Sequence, residues 1–198
     1  MTDADGKANP AAQHAGVAAD GRLFVFAYGS LIWKPGFTYL SARPATIHGY
    51  HRDFCIHSVV HRGTPQRSGL VLGLAPGGAC KGMVFEVAAA QADRVIAALD
   101  ARELVTSVYK VAALPVWLGG LRIRARAYVS DTAHPQYAGR LSIAQMAERI
   151  CGAVGNQGPN EDYLVNSVSA LREIGLQDQR LEALYREVVR RSDNLVAS

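Results

Sequence analysis

Leu23-Phe24-Val25-Phe26-Ala27-Tyr28-Gly29-Ser30-Leu31-Ile32-Trp33-Lys34-Pro35 is an apolar run that breaks into a glycine turn mixing polar and bulky side chains. Leu23 to Phe26 have the unbroken hydrophobicity of a strand covered on both faces, and Gly29 admits backbone angles closed to residues with a Cβ. A buried strand that stops this way presents backbone: N–H groups freed just past its end can converge on an anion or a polarised carbonyl. The residues alone also allow a plainer reading, a tight turn with Trp33 and Pro35 packed beneath it.

Around this stretch lie 198 residues, 49% of them hydrophobic, with a formal charge of +4 and a pI near 9.1. That length is most simply one domain with a substantial core. The basic residues are dispersed, with no long basic run interleaved with aromatics, so nucleic acid is not the expected partner. Arg186, Arg190 and Arg191 read as the solvated face of a last helix, and the positive balance mildly favours an anionic small substrate. Cys55, Cys80 and Cys151 are odd in number and widely spaced, which argues against a disulfide framework or a zinc site and for reduced thiols in the cytoplasm. No apolar stretch is long enough to span a membrane, and the opening residues lack the basic start and apolar core of a signal peptide. Residues 1–21 read as a flexible tail, with order beginning near Arg22 and a domain over 22–198.

The remainder alternates strands and helices, then turns helical. Strands are expected over Ala45 to Ile56, Leu70 to Ala75 and Lys81 to Val87, the last two joined through Gly77-Gly78. Ala90 to Ala101 suits a helix with Val95, Ile96 and Leu99 on one face. Val108 to Leu118 and Leu121 to Ser130 form a hairpin through Gly119-Gly120. Ser142 caps a helix toward Val154, Asn160 caps one reaching Ile174 before Gly175, and Asp178 caps a last helix carrying Leu181, Leu184, Val188 and Val189. The expected fold is α+β, a mixed sheet or small barrel flanked by helices, and periodicity does not separate barrel from open sheet.

Several segments together resemble one family. Tyr28-Gly29-Ser30-Leu31-x-Trp33-x-Pro35 after an apolar strand is similar to the signature loop of the γ-glutamylcyclotransferases, in particular the ChaC family that acts on glutathione. His61-Arg62-Gly63-Thr64 followed by Ser68-Gly69-Leu70, Arg102-Glu103 followed by Tyr109, and Gly158-Pro159-Asn160-Glu161-Asp162-Tyr163-Leu164 resemble further family segments in the same order. The resemblance covers nearly everything after the first twenty or so residues and implies the small barrel with C-terminal helices.

The resemblance also implies a chemistry: conversion of glutathione to 5-oxoproline and cysteinylglycine, with no cofactor and no metal. In a γ-glutamyl compound the α-amino nitrogen attacks the γ-carbonyl of the same residue, so the substrate carries its own nucleophile. The protein supplies a base, oxyanion donors, an acid for the departing nitrogen and a pocket for the reactive conformer. Glu103 is the implied acid/base; between a helix and Leu104-Val105 it is expected to be partly desolvated, with raised proton affinity. Read from the residues alone, the favoured role is a salt bridge with Arg102 or a helix-end position, and it is the resemblance that reverses this. Glu86 is its rival, expected to face solvent on an alternating strand. Substrate contacts are implied for Tyr28, Gly29, Ser30, Leu31, Arg62, Tyr109 and Tyr137, while His61 reads as a surface histidine. Ser107 stands where related sequences often carry glycine. The alternatives are a cyclotransferase for other γ-glutamyl amines or dipeptides, and a non-catalytic γ-glutamyl-binding module.

Overall fold

The computed structural model describes residues 14–196, and all five residues of β1 (Leu23–Ala27) are buried. On one side β1 pairs antiparallel with β3 (Gly69–Val87), from Leu23 opposite Val87 to Ala27 opposite Met83. On the other it meets β5 (Leu121–Ser130) in parallel, through Val25 and Arg126. β2 (Ser41–Ser58) pairs with β4 (Tyr109–Leu118) through Thr46–Trp117 and Ile47–Val116, and the strands close into a barrel in the order β1-β3-β2-β4-β5. Both faces of β1 are covered, which is why its run of apolar residues never alternates.

The described residues pack as two units, one made of 14–51 with 76–131 and the other of 52–75 with 132–196; the division falls within β2 and β3. In the first unit the expected hairpin forms with a clean register from Tyr109–Ser130 to Leu118–Leu121, and Gly119 and Gly120 turn at φ of 56° and 88°. Gly77 and Gly78 do not separate two strands: at φ of 96° and 70° they sit inside one continuous β3, an irregularity glycine absorbs at little cost. A short 3-10 turn, Ala89–Gln91, leads into α1 (Ala92–Glu103), which buries Ala92, Val95 and Leu99.

Residues 1–13 of the expected tail lie outside the described residues. His14 to Asp20 pack upstream of the expected start at Arg22: Ala15 is buried, Val17 bridges Leu23, and the Phe24 amide donates to the Gly16 carbonyl at 2.9 Å. Gly16 has φ of 84°, and a Cβ there would fall on the Arg126 amide and the Phe24 carbonyl.

In the second unit α2 (Ile143–Ile150) starts with a reciprocal capping box between Ser142 and Gln145. It ends at Ile150 rather than near Val154, because Gly152 turns at φ 71° and Val154–Gly155 pairs with Gly158–Pro159 in a two-stranded ribbon. Asn160 does not cap α3 (Asn160–Glu173). It is the first helical residue and is fully buried, its Oδ1 accepting from the Leu70 amide at 2.6 Å and its Nδ2 donating to the Leu70 carbonyl at 2.7 Å. A buried amide that satisfies both backbone groups of a strand residue has no atom left for capping. Gly175 at φ 71° closes α3. Asp178 caps α4 (Gln179–Val196) through the Arg180 and Leu181 amides at 3.2 Å. Leu181, Leu184 and Val188 are buried, whereas Val189 is exposed. All three cysteines are buried, and no disulfide joins them. Among the described residues no helix is long and apolar enough to cross a membrane.

Candidate active site

The chain leaves β1 at Ala27 and turns at once, with the Ile32 amide donating to the Gly29 carbonyl at 2.8 Å and the Lys34 amide to the Ser30 carbonyl at 2.8 Å. These turns consume carbonyls and leave donors. Among the described residues the N–H groups of Gly29, Ser30 and Leu31 have no acceptor, although Gly29 and Leu31 are buried. Three successive unsatisfied amides at the end of a buried strand are costly to a fold and suited to an anionic or polarised oxygen. The expected reason for glycine is corrected: Gly29 is not among the glycines with positive φ. Tyr28 is used internally, its buried hydroxyl donating to the Tyr128 carbonyl at 2.9 Å, so the side chain anchors the loop.

Glu103 ends α1, and its side chain is 18% exposed. Its Oε1 lies 3.2 Å from Arg102 Nε, so the ion pair anticipated from the residues is present. The same guanidinium reaches into the loop: Nη2 donates to Ser30 Oγ at 2.9 Å and Nη1 to the Lys34 carbonyl at 2.7 Å. Arg102 thereby brings Ser30 and Glu103 to one group.

One turn earlier on α1, Asp100 receives both oxygens' worth of contact from the buried Arg126 Nη2, at 2.5 and 2.7 Å, and the Tyr128 hydroxyl donates to it at 2.7 Å. Burial, above all, pushes the Tyr128 hydroxyl well up, so it stays a donor. Sequence reading missed Asp100, Arg126 and Tyr128: α1 and β5 each carry other charged residues, so no local pattern singles these three out.

Between Glu103 and Tyr109 the chain passes through Ser107, a non-glycine residue at φ 57°. Its amide donates to the Leu104 carbonyl at 3.2 Å, and Tyr109 then opens β4 opposite Ser130. Ser107→Gly is expected to stabilise the fold by about 1 kcal/mol, since the left-handed region costs an L-residue roughly that much. Chemical denaturation measures it, and an unchanged or lower midpoint would refute the strain.

Glu86 is not a free surface carboxylate. Ser41 Oγ donates to its Oε2 at 2.8 Å and Arg22 pairs with its Oε1, leaving the side chain 14% exposed. The Ser41 bond first, then the Arg22 bond, hold this carboxyl below its ordinary 4.5. A carboxyl with a depressed value adds stability that is complete above 4.5 and is lost as pH falls through the folded-state value. Glu86→Gln should therefore flatten the acid side of the stability profile; a profile parallel to wild type below pH 4.5 would refute the pairing.

Arg62 and Tyr137 lie in the second unit. Arg62 donates from Nη1 to the Pro159 carbonyl at 2.9 Å and stacks 5.6 Å from the Tyr163 ring centre, while its buried Nε has no hydrogen-bond partner among the described residues. The neighbouring Gly63 explains its own presence: a Cβ there would fall on the Gly69 amide and the Ser58 and Arg67 carbonyls. Tyr137 bridges Ile56, and burial first, then Cys55 and Asp53, raises its hydroxyl. His61 is exposed, and its ring Nδ1 lies 3.3 Å from Asn156 Oδ1. Among the described residues no group of three or more His, Cys, Asp or Glu is placed to hold a metal ion.

Residues 23–191 match the family model described as ChaC-like protein. The chain is similar to a glutathione-specific γ-glutamylcyclotransferase of Escherichia coli, 30% identical over 170 residues that cover 83% of this chain and 72% of that protein. It is also similar to one of Schizosaccharomyces pombe, 32% identical over 191 residues covering 86% and 93%. A crystal structure described as a γ-glutamyl cyclotransferase specific to glutathione from yeast shares the fold, with a TM-score of 0.78 at 24% identity, covering 86% of this chain and 96% of the other.

Proposed function

This chain belongs to the ChaC-like family, and on that premise we propose that it is a γ-glutamylcyclotransferase converting glutathione to 5-oxoproline and cysteinylglycine. The observation that carries the reading is the row of unpaired amides at Gly29, Ser30 and Leu31, joined through one arginine to Glu103. In this reading Glu103 takes a proton from the α-ammonium. The freed nitrogen forms a bond to the γ-carbonyl carbon, and the charge that develops on the carbonyl oxygen is met by the loop amides. Protonated Glu103 then passes its proton to the departing amide nitrogen and the C–N bond breaks. The regenerated carboxylate takes the second proton from the ring nitrogen, leaving the neutral lactam, and hands it to the released amine, which departs as ammonium. One carboxylate serves as both base and acid, and atoms and charge balance without a second reactant.

The other site residues take supporting roles. Tyr28 contributes through backbone and anchorage, since its hydroxyl is committed to the Tyr128 carbonyl. Leu31 adds an amide and a buried side chain. Arg62, with an unpartnered buried Nε, suits a substrate carboxylate, and the phenol hydroxyls of Tyr109 and Tyr137 suit contacts with a γ-glutamyl group. The lyase type of the reaction follows from internal displacement without water, and three dispersed cysteines without a disulfide support a cytoplasmic setting.

The test is incubation of the purified protein with glutathione, S-methylglutathione, γ-glutamyl dipeptides and γ-glutamyl-lysine, with 5-oxoproline measured. Preferred turnover of glutathione is expected. Equal turnover of all substrates would replace the glutathione-specific reading with the broader one, and no 5-oxoproline from any of them would leave a binding module.

A further inference from the structure

We propose that Arg102 is a positioning residue for this reaction and that its bond to Ser30 makes the Ser30 hydroxyl an additional oxyanion donor. The inference rests on the reading of Glu103 as proton carrier and of the Tyr28 to Leu31 loop as the oxyanion site. The geometry is that of one rigid plane holding three pieces of chain. Nε meets Glu103 Oε1 at 3.2 Å, Nη2 meets Ser30 Oγ at 2.9 Å, and Nη1 meets the Lys34 carbonyl at 2.7 Å, with the Pro35 carbonyl at 3.5 Å. The guanidinium carries its donors in a fixed fork, so the base, the hydroxyl and the far end of the loop cannot shift independently while these contacts hold.

The Ser30 contact also has a direction. A guanidinium can only donate, so Ser30 Oγ is the acceptor, and its own hydrogen must point elsewhere. Among the described residues nothing accepts that hydrogen. The hydroxyl is thus left as a donor beside the unpaired Ser30 amide, polarised by the cation behind it. Charge-assisted donors of this kind are the stronger ones, and a donor fixed in advance costs no reorganisation when charge develops.

Four proteins decide the question: wild type, R102K, S30A and the double variant, each measured for kcat and KM with glutathione and for thermal midpoint. Lysine keeps the charge but loses the fork. R102K and S30A are each expected to lower kcat by about 10- to 100-fold, at or below the usual effect of deleting one oxyanion donor, with KM within about threefold and a midpoint near wild type. The double variant should be no slower than the worse single one, because both changes break one tether. A kcat for R102K within twofold of wild type, or multiplication of the two losses in the double variant, would overturn the proposal. If R102K does not fold, S30A decides, because alanine leaves every other Arg102 contact in place; a wild-type kcat for S30A would sink the donor role. An active wild type, an inactive Glu103→Gln and an undiminished R102K would reject this inference alone, whereas an inactive wild type rejects it together with the reading beneath it.

Discussion

Glu103→Gln is expected to lower kcat for 5-oxoproline formation by about 10²- to 10⁴-fold, with little change in thermal midpoint. The amide is the carboxylate's isostere, and its oxygen can still accept from Arg102 Nε, so the end of α1 and the loop keep their tether. What the amide cannot do is take a proton from the α-ammonium and return it to the leaving nitrogen. Because one group serves both transfers, the loss should fall at the upper end of the range, and KM should move far less than kcat. Near-normal turnover by a folded Glu103→Gln protein would remove Glu103 from the mechanism. Loss of the fold would mean instead that the ion pair with Arg102 is its whole purpose.

Asp100→Ala should cost about 3 kcal/mol of unfolding free energy, the lower end for leaving a buried charge without its partner, because Arg126 is buried while the Asp100 side chain is 32% exposed. Arg126 is 1% exposed and directs Nη2 to both Asp100 oxygens, and the Tyr128 hydroxyl spends its hydrogen on the same carboxylate. Deleting the acid strips a buried cation of its counter-charge and a buried hydroxyl of its acceptor at once. Urea denaturation reads the loss directly. A second protein with Asp100→Leu and Arg126→Met should recover most of it, because an apolar pair avoids desolvating two charges. A loss under about 1 kcal/mol would place the pair among ordinary surface ion pairs. Activity should fall with stability here, since Asp100 lies one turn before Glu103 on the same helix.

What was legible from the residues is what neighbouring residues decide among themselves. The β1 run is buried at every position, the hairpin turns at the expected glycine pair, and Ser142 and Asp178 cap the helices they precede. These features follow from backbone angles and side-chain reach within a few residues, and so they survive without knowledge of the rest of the fold. The family loop and the Arg102-Glu103 pair were visible in the same way, as short patterns.

Only the tertiary structure decided how distant pieces meet. Closure of the barrel depends on Val25 lying beside Arg126, and no periodicity in either strand encodes that pairing. Asn160 looked like a helix cap because its residue type favours caps, but a strand amide and carbonyl at Leu70 claimed both ends of its side chain. Gly77-Gly78 looked like a strand boundary, yet the barrel's pairing carried β3 straight through it. The loop's chemistry depended on tertiary contacts too. Which amides stay unpaired, and that Arg102 reaches across 72 residues of sequence to Ser30, are settled by where the end of α1 is held against the barrel. Local sequence sets the angles a residue prefers, whereas the partner of a long side chain or a free amide is set by whatever the closed fold brings within about 3 Å of it.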